Sequence, residues 1–430
     1  MSTYLSRTPS TAGNRKTWTW SGWVKRNLNA AQQNLLGVST TTTTFSFLYF
    51  NPSNQLVMYS ADDGATGGYI QTTRQFNDVN GWYHIVCTID TTNGTANDRI
   101  KLYVNGQQET SFVSRVNPIS NYEFYINTSG NRMDIGGSGT GMPVNSNVFF
   151  GLMSHIHLID GTAYDPSYFG STDSVTGEWT IKTSPSVTYG TNGFFILKDG
   201  NSVTDQSGQG NNWAVGNDTL TKTEDNPSNV FATFNPLDGY QSNYTYAQGN
   251  TAVASSSGSR TYVTSTLGMP SGKYYWECKL DATIGDGSGG ASTSVYVGIT
   301  GQSPISPSQF PSDGTCFNCV MNTNGQVYSN GSTIGSAMGS AWATSTFVMM
   351  AYDADNNKMY FGKDGTWLNS GDPTSGSTGT GAFTPTTAAS ATPIGVYMPQ
   401  WGVDAVASYG TSFNFGNGYF GTTAVASAGT

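Results

Sequence analysis

The chain has 430 residues, of which only 10% are charged and 13% aromatic, with 53 glycines and a net charge of −9. That aromatic content excludes a disordered polymer, which lacks apolar surface to bury, and the absence of a basic field excludes a binder of nucleic-acid phosphates. Met1 to Ser10 has no apolar signal core, and nowhere do about 18 apolar residues run together, so a soluble product with no membrane insertion and no general secretory export is expected.

Period-two alternation dominates from the start. Thr17 to Lys25 (TWTWSGWVK) predicts a strand with Trp20, Gly22 and Val24 on one side and Thr19, Ser21 and Trp23 on the other. The early cations Arg7, Arg15, Lys16, Lys25 and Arg26 read as a solvated charge cluster, or as an arm that docks on an acidic neighbour. Phe45, Phe47 and Tyr49 alternate with Ser46, Leu48 and Phe50, a strand with apolar residues on both faces. Trp82 to Asp90 and Arg99 to Val104 follow, the latter ending in Asn105-Gly106, which suits a tight I′ hairpin. Met133 to Ile135 and Phe149 to Ile159 are further strands.

The polar stretch 217–239, with Pro227 and Pro236, is expected as a linker between domains 1–216 and 240–430. Beyond it come strands Lys273 to Leu280, Val295 to Ile299, Phe347 to Asp353, Lys358 to Phe361, Ile394 to Tyr397 and Ser412 to Phe415. Hairpin signals stand at Asn324-Gly325, Asn330-Gly331 and Asp364-Gly365, and the Gly/Ser/Thr tract 370–381 is expected as a mobile loop.

Catalytic constellations are scarce. A retaining glycosidase on a strand scaffold needs two carboxylates about 5 Å apart, yet the five glutamates, Glu109, Glu123, Glu178, Glu224 and Glu277, are far apart in sequence. A carboxylate pair assembled from distant aspartates keeps a glycan depolymerase open as an alternative. Cys316 and Cys319 form a C-x-x-C without the second pair that a zinc site needs, and Cys87 and Cys278 stand alone. His155 and His157 share a strand but have no third ligand nearby, and His84 is isolated. Asp353, Asp355, Asn356 and Asn357 space oxygens alternately, but Lys358 and Asp364 stand where a calcium loop wants Gly and Glu. Asp134, Asp160 and Asp165 are weaker calcium candidates still. The reading is therefore a non-enzyme with no catalytic residues, no metal site and no cofactor.

Sugars favour flat aromatic rings flanked by amides, held on loops or on a sheet face. Trp367, just after the Asp364-Gly365 turn, and Trp401, read as lying in a loop from Pro399 to Gly402, are the candidate ligand-binding residues, with core packing as the alternative. Trp18, Trp20, Trp23 and Trp82 read as core.

Residues 17–165 resemble a laminin-G-like or pentraxin-like domain of the concanavalin A-like lectin class, through TWSGWVK, WYHIVCTID, IKLYVNG, MDIGG and FFGLMSHIHLIDG in matching order. Residues from about 250 to 416 resemble a SPRY domain, through GKYYWECKL, VYVGI, MAYDADNNKMYFGKDG and FNFG. Both resemblances imply jelly-roll-like folds, so the fold class expected is all-β, two antiparallel β-sandwich domains in tandem. The segments YLSRTPSTAGNRKTWTWSGWVKR, DGTAYDPSYFG, YGTNGFF, DQSGQGNNWAVGN and EDNPSNVFATFNPLD resemble ones that recur in phage virion proteins. That resemblance implies a virion surface protein made in the host bacterial cytoplasm: a tail fibre, capsid fibre or decoration protein. Its partners are then other virion proteins and a host cell-surface glycan or protein, and a homo-oligomer is expected. A purely architectural virion component that binds only other virion proteins is the alternative.

Overall fold

A computed structural model describes residues 3–27, 31–143, 146–198, 200, 202–238, 244–255, 260–281, 295–306, 314, 316–336, 342–404, 409–420 and 423–425. Among these residues the secondary structure is β-strand with a few single-turn 3-10 segments, and no helix is long and apolar enough to cross a membrane. The chain divides into two compact units, Met1–Val230 and Phe231–Thr430.

The first unit is a sandwich of an eight-stranded and a six-stranded sheet. The eight-stranded sheet runs, in spatial order, Phe112–Val116, Ala65–Gln75, Gln55–Asp62, Phe45–Phe50, Gln33–Ser39, Met133–Ile135, Tyr4–Arg7 and Ala214–Gly216. The six-stranded sheet runs Phe194–Ile196, Gly151–Asp160, Thr17–Arg26, Tyr83–Asp90, Ile100–Val104 and Gln107–Gln108. All these pairings are antiparallel. Alternation builds the core: Trp18, Trp20, Val24, Ile85, Cys87 and Leu158 from one sheet meet Leu36, Val38, Leu48, Phe50, Met58 and Ile70 from the other.

The strand Thr17–Arg26 is buried on both faces, not on one alone. The chain after Gly161 lies over the outer face of the six-stranded sheet. There Phe169, Tyr189 and Phe195 pack with Val86 and Ile159, and Thr19 Oγ1 and Thr88 Oγ1 donate to the carbonyls of Thr162 and Tyr164 at 2.9 and 2.8 Å. Further along, Asp225 accepts from Lys25 Nζ at 2.8 Å and from Trp82 Nε1 at 3.1 Å. The stretch expected as a linker is thus drawn into the units themselves: Asp225 is buried in the first, Phe234 belongs to the core of the second, and the division falls between Val230 and Phe231.

The early cations are not a solvated cluster. Lys25 and Arg26 are fully buried. Arg26 donates to Phe76 O and Asn54 Oδ1 and lies 4.5 Å over the Phe50 ring, and burial lowers its pKa to about 10. Arg15 pairs with Glu123.

The second unit has a seven-stranded sheet, Tyr244–Ala247, Ala252–Ser255, Tyr409–Asn414, Lys273–Leu280, Phe347–Asp353, Lys358–Lys363 and Thr366–Trp367 in order. Its six-stranded partner runs Arg260–Thr264, Met398–Asp404, Val295–Thr300, Asn318–Asn322, Gln326–Ser329 and Ser332–Ser336. Trp276, Cys278, Val297, Met350, Phe361 and Phe413 fill the space between. Positive φ at both turn residues confirms the I′ geometry of Asn105-Gly106, Asn330-Gly331 and Asp364-Gly365. At Asn324-Gly325 only Gly325 has positive φ, so that hairpin closes through a longer turn. The tract 370–381 is a hydrogen-bonded loop instead of a bare tether: Asp372 Oδ1 accepts from Thr374 N and Oγ1, Asp372 N donates to Thr380 O, and Tyr360 Oη meets Ser375 Oγ at 3.3 Å.

Candidate functional site

Trp401 is core. It lies inside the strand Met398–Asp404, paired with Val263 on one side and Val297 on the other, with no exposed surface and its indole N–H donating to Thr411 Oγ1 at 2.8 Å. It therefore presents nothing to a ligand. The neighbouring Pro399 is tolerated because it stands near the strand's start, where its carbonyl still accepts from Ser265 N. The expected strand Ile394 to Tyr397 is a turn leading into it.

Trp367 is half-buried at the edge of the seven-stranded sheet. It pairs with Gly362, and its ring meets Tyr275 at 6.2 Å and Tyr360 at 6.5 Å, both edge-on. Tyr275 is exposed and donates to Glu277 Oε2, while Asn414 Nδ2 donates to Oε1 of the same carboxylate. This gives an aromatic pair beside amide and carboxylate groups.

A larger aromatic surface lies on the outer face of the first unit's eight-stranded sheet. Strand period puts Leu48, Phe50, Met58 and Ile70 into the main core, and so turns Phe45, Phe47, Tyr49, Val57, Tyr59 and Tyr69 to the opposite face, where Phe45, Phe47 and Val57 are themselves buried. Phe45 and Phe47 stack at 4.7 Å, and Tyr59 stands edge-on to Phe45 at 4.8 Å and to Tyr69 at 5.1 Å. Tyr49, Tyr59 and Tyr69 remain half-exposed. Burial, reinforced by the neighbouring phenols, pushes the Tyr49 and Tyr69 hydroxyls above their ordinary range, so these two stay neutral at physiological pH. A row of amides continues the face: Tyr69 Oη donates to Gln71 Oε1, Gln71 Nε2 donates to Gln55 Oε1, and Asn51 Nδ2 reaches the same oxygen at 3.2 Å. Neutral rings beside fixed amide donors and acceptors suit sugar C–H faces and hydroxyls. The sequence signal for this face was present in Tyr49, Tyr59 and Tyr69, but only strand register reveals that they converge.

The remaining candidates serve the fold. His84 is fully buried between Trp23 and Trp179, stacked at 5.0 and 5.9 Å. Trp179 Nε1 donates to its Nδ1 at 2.9 Å, so the imidazole proton sits on Nε2, which faces Ser21 Oγ at 2.9 Å. Burial lowers the His84 pKa to about 3. His157 stacks on Phe195 at 4.0 Å and meets Tyr189 Oη at 2.9 Å, while His155 sits in a bulge with φ 49. Asp160 accepts from Asn14 N and Asn192 N, Asp134 from Gly139 N and Arg132, and Asp165 caps Ser167 N. Asp353 takes Lys273 and Asn356, which makes its loop a hairpin turn. Among the described residues no three His, Cys, Asp or Glu side chains gather as a metal site. Glu109, Glu123 and Glu224 pair with Arg74, Arg15 and Lys222.

Residues 2–163 match the family model described as the concanavalin A-like lectin/glucanases superfamily. No curated protein sequence matches the chain. Among solved structures, the SPRY domain of human HERC1 is similar at 16% identity over 43% of this chain and 98% of that one, with a TM-score of 0.32. A putative carbohydrate binding protein from Bacteroides ovatus is similar at 14% identity over 52% of this chain and 58% of that one, TM-score 0.36. The CBM40 of a Ruminococcus gnavus sialidase is similar at 15% identity over 38% of this chain and 92% of that one, TM-score 0.28. At these scores the structural likenesses carry no argument about function. The protein is all-β, with an antiparallel sandwich in each unit, and the stretch that matches the concanavalin A-like model, residues 2–163, lies in the first.

Proposed function

We propose that the chain is a glycan-binding adhesin, and that it works from the surface of a phage particle against a host cell-surface glycan. The observation that carries the first half is the half-exposed tyrosine face, Tyr49, Tyr59 and Tyr69, continued by the amides of Gln71, Gln55 and Asn51. Such a face stacks on pyranose rings and needs no charge, in keeping with a chain that is only 10% charged. Trp367 with Tyr275 is proposed as a second, smaller contact in the other unit. Support for the virion setting comes from the phage-like segments, such as YGTNGFF and EDNPSNVFATFNPLD. Contacts with other virion proteins and assembly as a homo-oligomer belong to that setting.

A glycan array probed with the intact chain tests the binding half. Tyr59→Ala and Tyr69→Ala each remove a stacking ring and are expected to weaken the best array ligand by roughly tenfold, about 1 to 1.5 kcal/mol. Trp367→Ala is expected to have a smaller effect. Unchanged binding in both tyrosine variants, or no ligand on the array, removes the reading. Mass spectrometry of purified particles tests the setting: a chain absent from the virion cannot act there.

A further inference from the structure

The strands Gly170–Thr172 and Trp179–Ile181 pair into a hairpin that is a two-stranded sheet of its own. Among the described residues its hydrogen bonds are internal with one exception: Trp179 Nε1 donates to His84 Nδ1, on the outer face of the six-stranded sheet, at 2.9 Å. The half-buried Trp179 ring lies on the His84 imidazole, which stacks in turn on Trp23. The ring also fits against the Asn105-Gly106 turn, where a Cβ on Gly106 would stand 2.5 Å from it. An indole N–H only donates, so the bond to His84 exists only while Nδ1 is unprotonated. A proton on Nδ1 sets two N–H groups against each other and places a charge in a buried site.

The elements packed around His84 offer that charge no counter-ion among the described residues. Thr17–Arg26 presents Ser21, Trp23 and Lys25, and Lys25 is spent on Asp225. Gly151–Asp160 presents His157, where a positive charge and one on His84 oppose each other. Ile100–Val104 presents Tyr103 and Lys101, and Lys101 pairs with Asp98. The hairpin's own carboxylates are Asp173, held below the usual carboxylate range by its hydrogen bonds to Thr176 and Val175, and the exposed Glu178. Burial lowers the His84 pKa to about 3, whereas a bared imidazole returns toward 6.5. We propose that the hairpin is an acid-released lid: protonation of His84 breaks the Trp179 hydrogen bond, lifts residues 170–181 and bares the Trp23–His84 stack while the two main sheets stay paired. The open lid takes up the proton and the closed one does not. Opening is therefore constant above about pH 6.5 and grows about tenfold per pH unit below it, until the closed form titrates near 3.

The test is amide hydrogen exchange of the full chain, read by mass spectrometry as protection relative to intrinsic rates at about pH 7.5 and 4.5. A two-stranded hairpin does not hold itself in water, so its ladder amides exchange once the lid lifts. Residues 170–181 are expected to be less protected than Thr17–Arg26 at both pH values, and to lose roughly a hundredfold in protection between them. The Gln side chain in His84→Gln can accept from Trp179 and donate to Ser21 but cannot titrate, and this variant is expected to cut that loss to under about threefold. Trp179→Phe keeps a ring over His84 and removes only the donor. Its hairpin is expected to be about fivefold less protected at pH 7.5, as the loss of one hydrogen bond implies, and this readout stands even where His84→Gln fails to fold. Hairpin protection equal to that of Thr17–Arg26 overturns the proposal, because the hairpin then opens only with the whole unit. An acid loss that survives His84→Gln overturns it too, and so does parental protection in Trp179→Phe.

Discussion

Asp225→Ala strikes the contact that ties the end of the first unit to its sheet. Lys25 Nζ lies 2.8 Å from Asp225 Oδ2, and the two side chains are 1% and 2% exposed. Trp82 Nε1 donates to the other oxygen at 3.1 Å. Removing the carboxylate leaves an ammonium in a desolvated site and strands the indole N–H. Breaking such a buried pair from one side costs about 3 to 5 kcal/mol, where an exposed pair is worth under about 1. With a urea m-value of about 3 kcal/mol/M, the unfolding midpoint of this unit is expected to fall by about 1 to 1.7 M. Urea titration monitored by amide hydrogen exchange across Thr17–Arg26 assigns the loss to the correct unit. The double variant Lys25→Met with Asp225→Leu removes both charges and is expected to recover most of the stability. A loss below about 1 kcal/mol for Asp225→Ala, or a double variant no better than the single one, refutes the claim that the pair is a desolvated clasp.

The same covered face makes stability depend on pH. The His84 pKa is depressed in the folded chain to about 3 from an ordinary 6.5, so the unfolded chain takes up the proton first. Stability is whole above pH 6.5 and falls as pH drops toward 3, by about 1.4 kcal/mol per pH unit below roughly pH 6 for this one group. His84→Gln should flatten that slope in urea unfolding series between roughly pH 4 and 7, and an unchanged slope would sink the assignment. Gly190 has φ +73, and a Cβ there would stand 2.1 Å from the Asp160 carbonyl oxygen. Gly190→Ala is therefore expected to cost more than about 2 kcal/mol by thermal or urea melting, and a neutral result would mean that this turn can shift freely.

Strand identity was legible wherever the pattern is local. Thr17 to Lys25, Trp82 to Asp90 and the three Asn-Gly or Asp-Gly turns of I′ geometry all carry their own signals, because alternation and turn chemistry are read within a few residues. The two-faced strand Phe45–Phe50 was legible for the same reason. What failed was long-range. Nothing near Lys25 announces a partner 200 residues away, so a buried cation read as a solvated one. Trp401 read as a loop residue because Pro399 and Gly402 are usual strand breakers, whereas pairing on both sides carries the strand through them. The tyrosine face required register, since Tyr59 and Tyr69 become neighbours only once their strands are paired.

The contrast between the two outer faces of the first unit is the strongest physical reason to look for a ligand on one of them. Over the six-stranded sheet, parts of the chain after Gly161, among them Phe169, Trp179, Tyr189 and Asp225, lie as cover and close Trp23, Lys25, His84 and His157 away from water. Over the eight-stranded sheet the described chain leaves Tyr49, Tyr59 and Tyr69 half-exposed, with Val116 of the neighbouring edge strand exposed beside Tyr69. Exposed apolar area forgoes roughly 25 cal/mol per Å² of burial, and contiguous aromatic patches on soluble proteins mark contact sites. Rings held by strand pairing, with the Tyr69 hydroxyl joined to the Gln71 amide, lose little conformational freedom when a ligand arrives. A surface built that way suits a ligand whose own faces alternate between C–H and hydroxyl groups, which is why the ring variants on this face, more than any change in the covered one, decide whether the chain binds sugar.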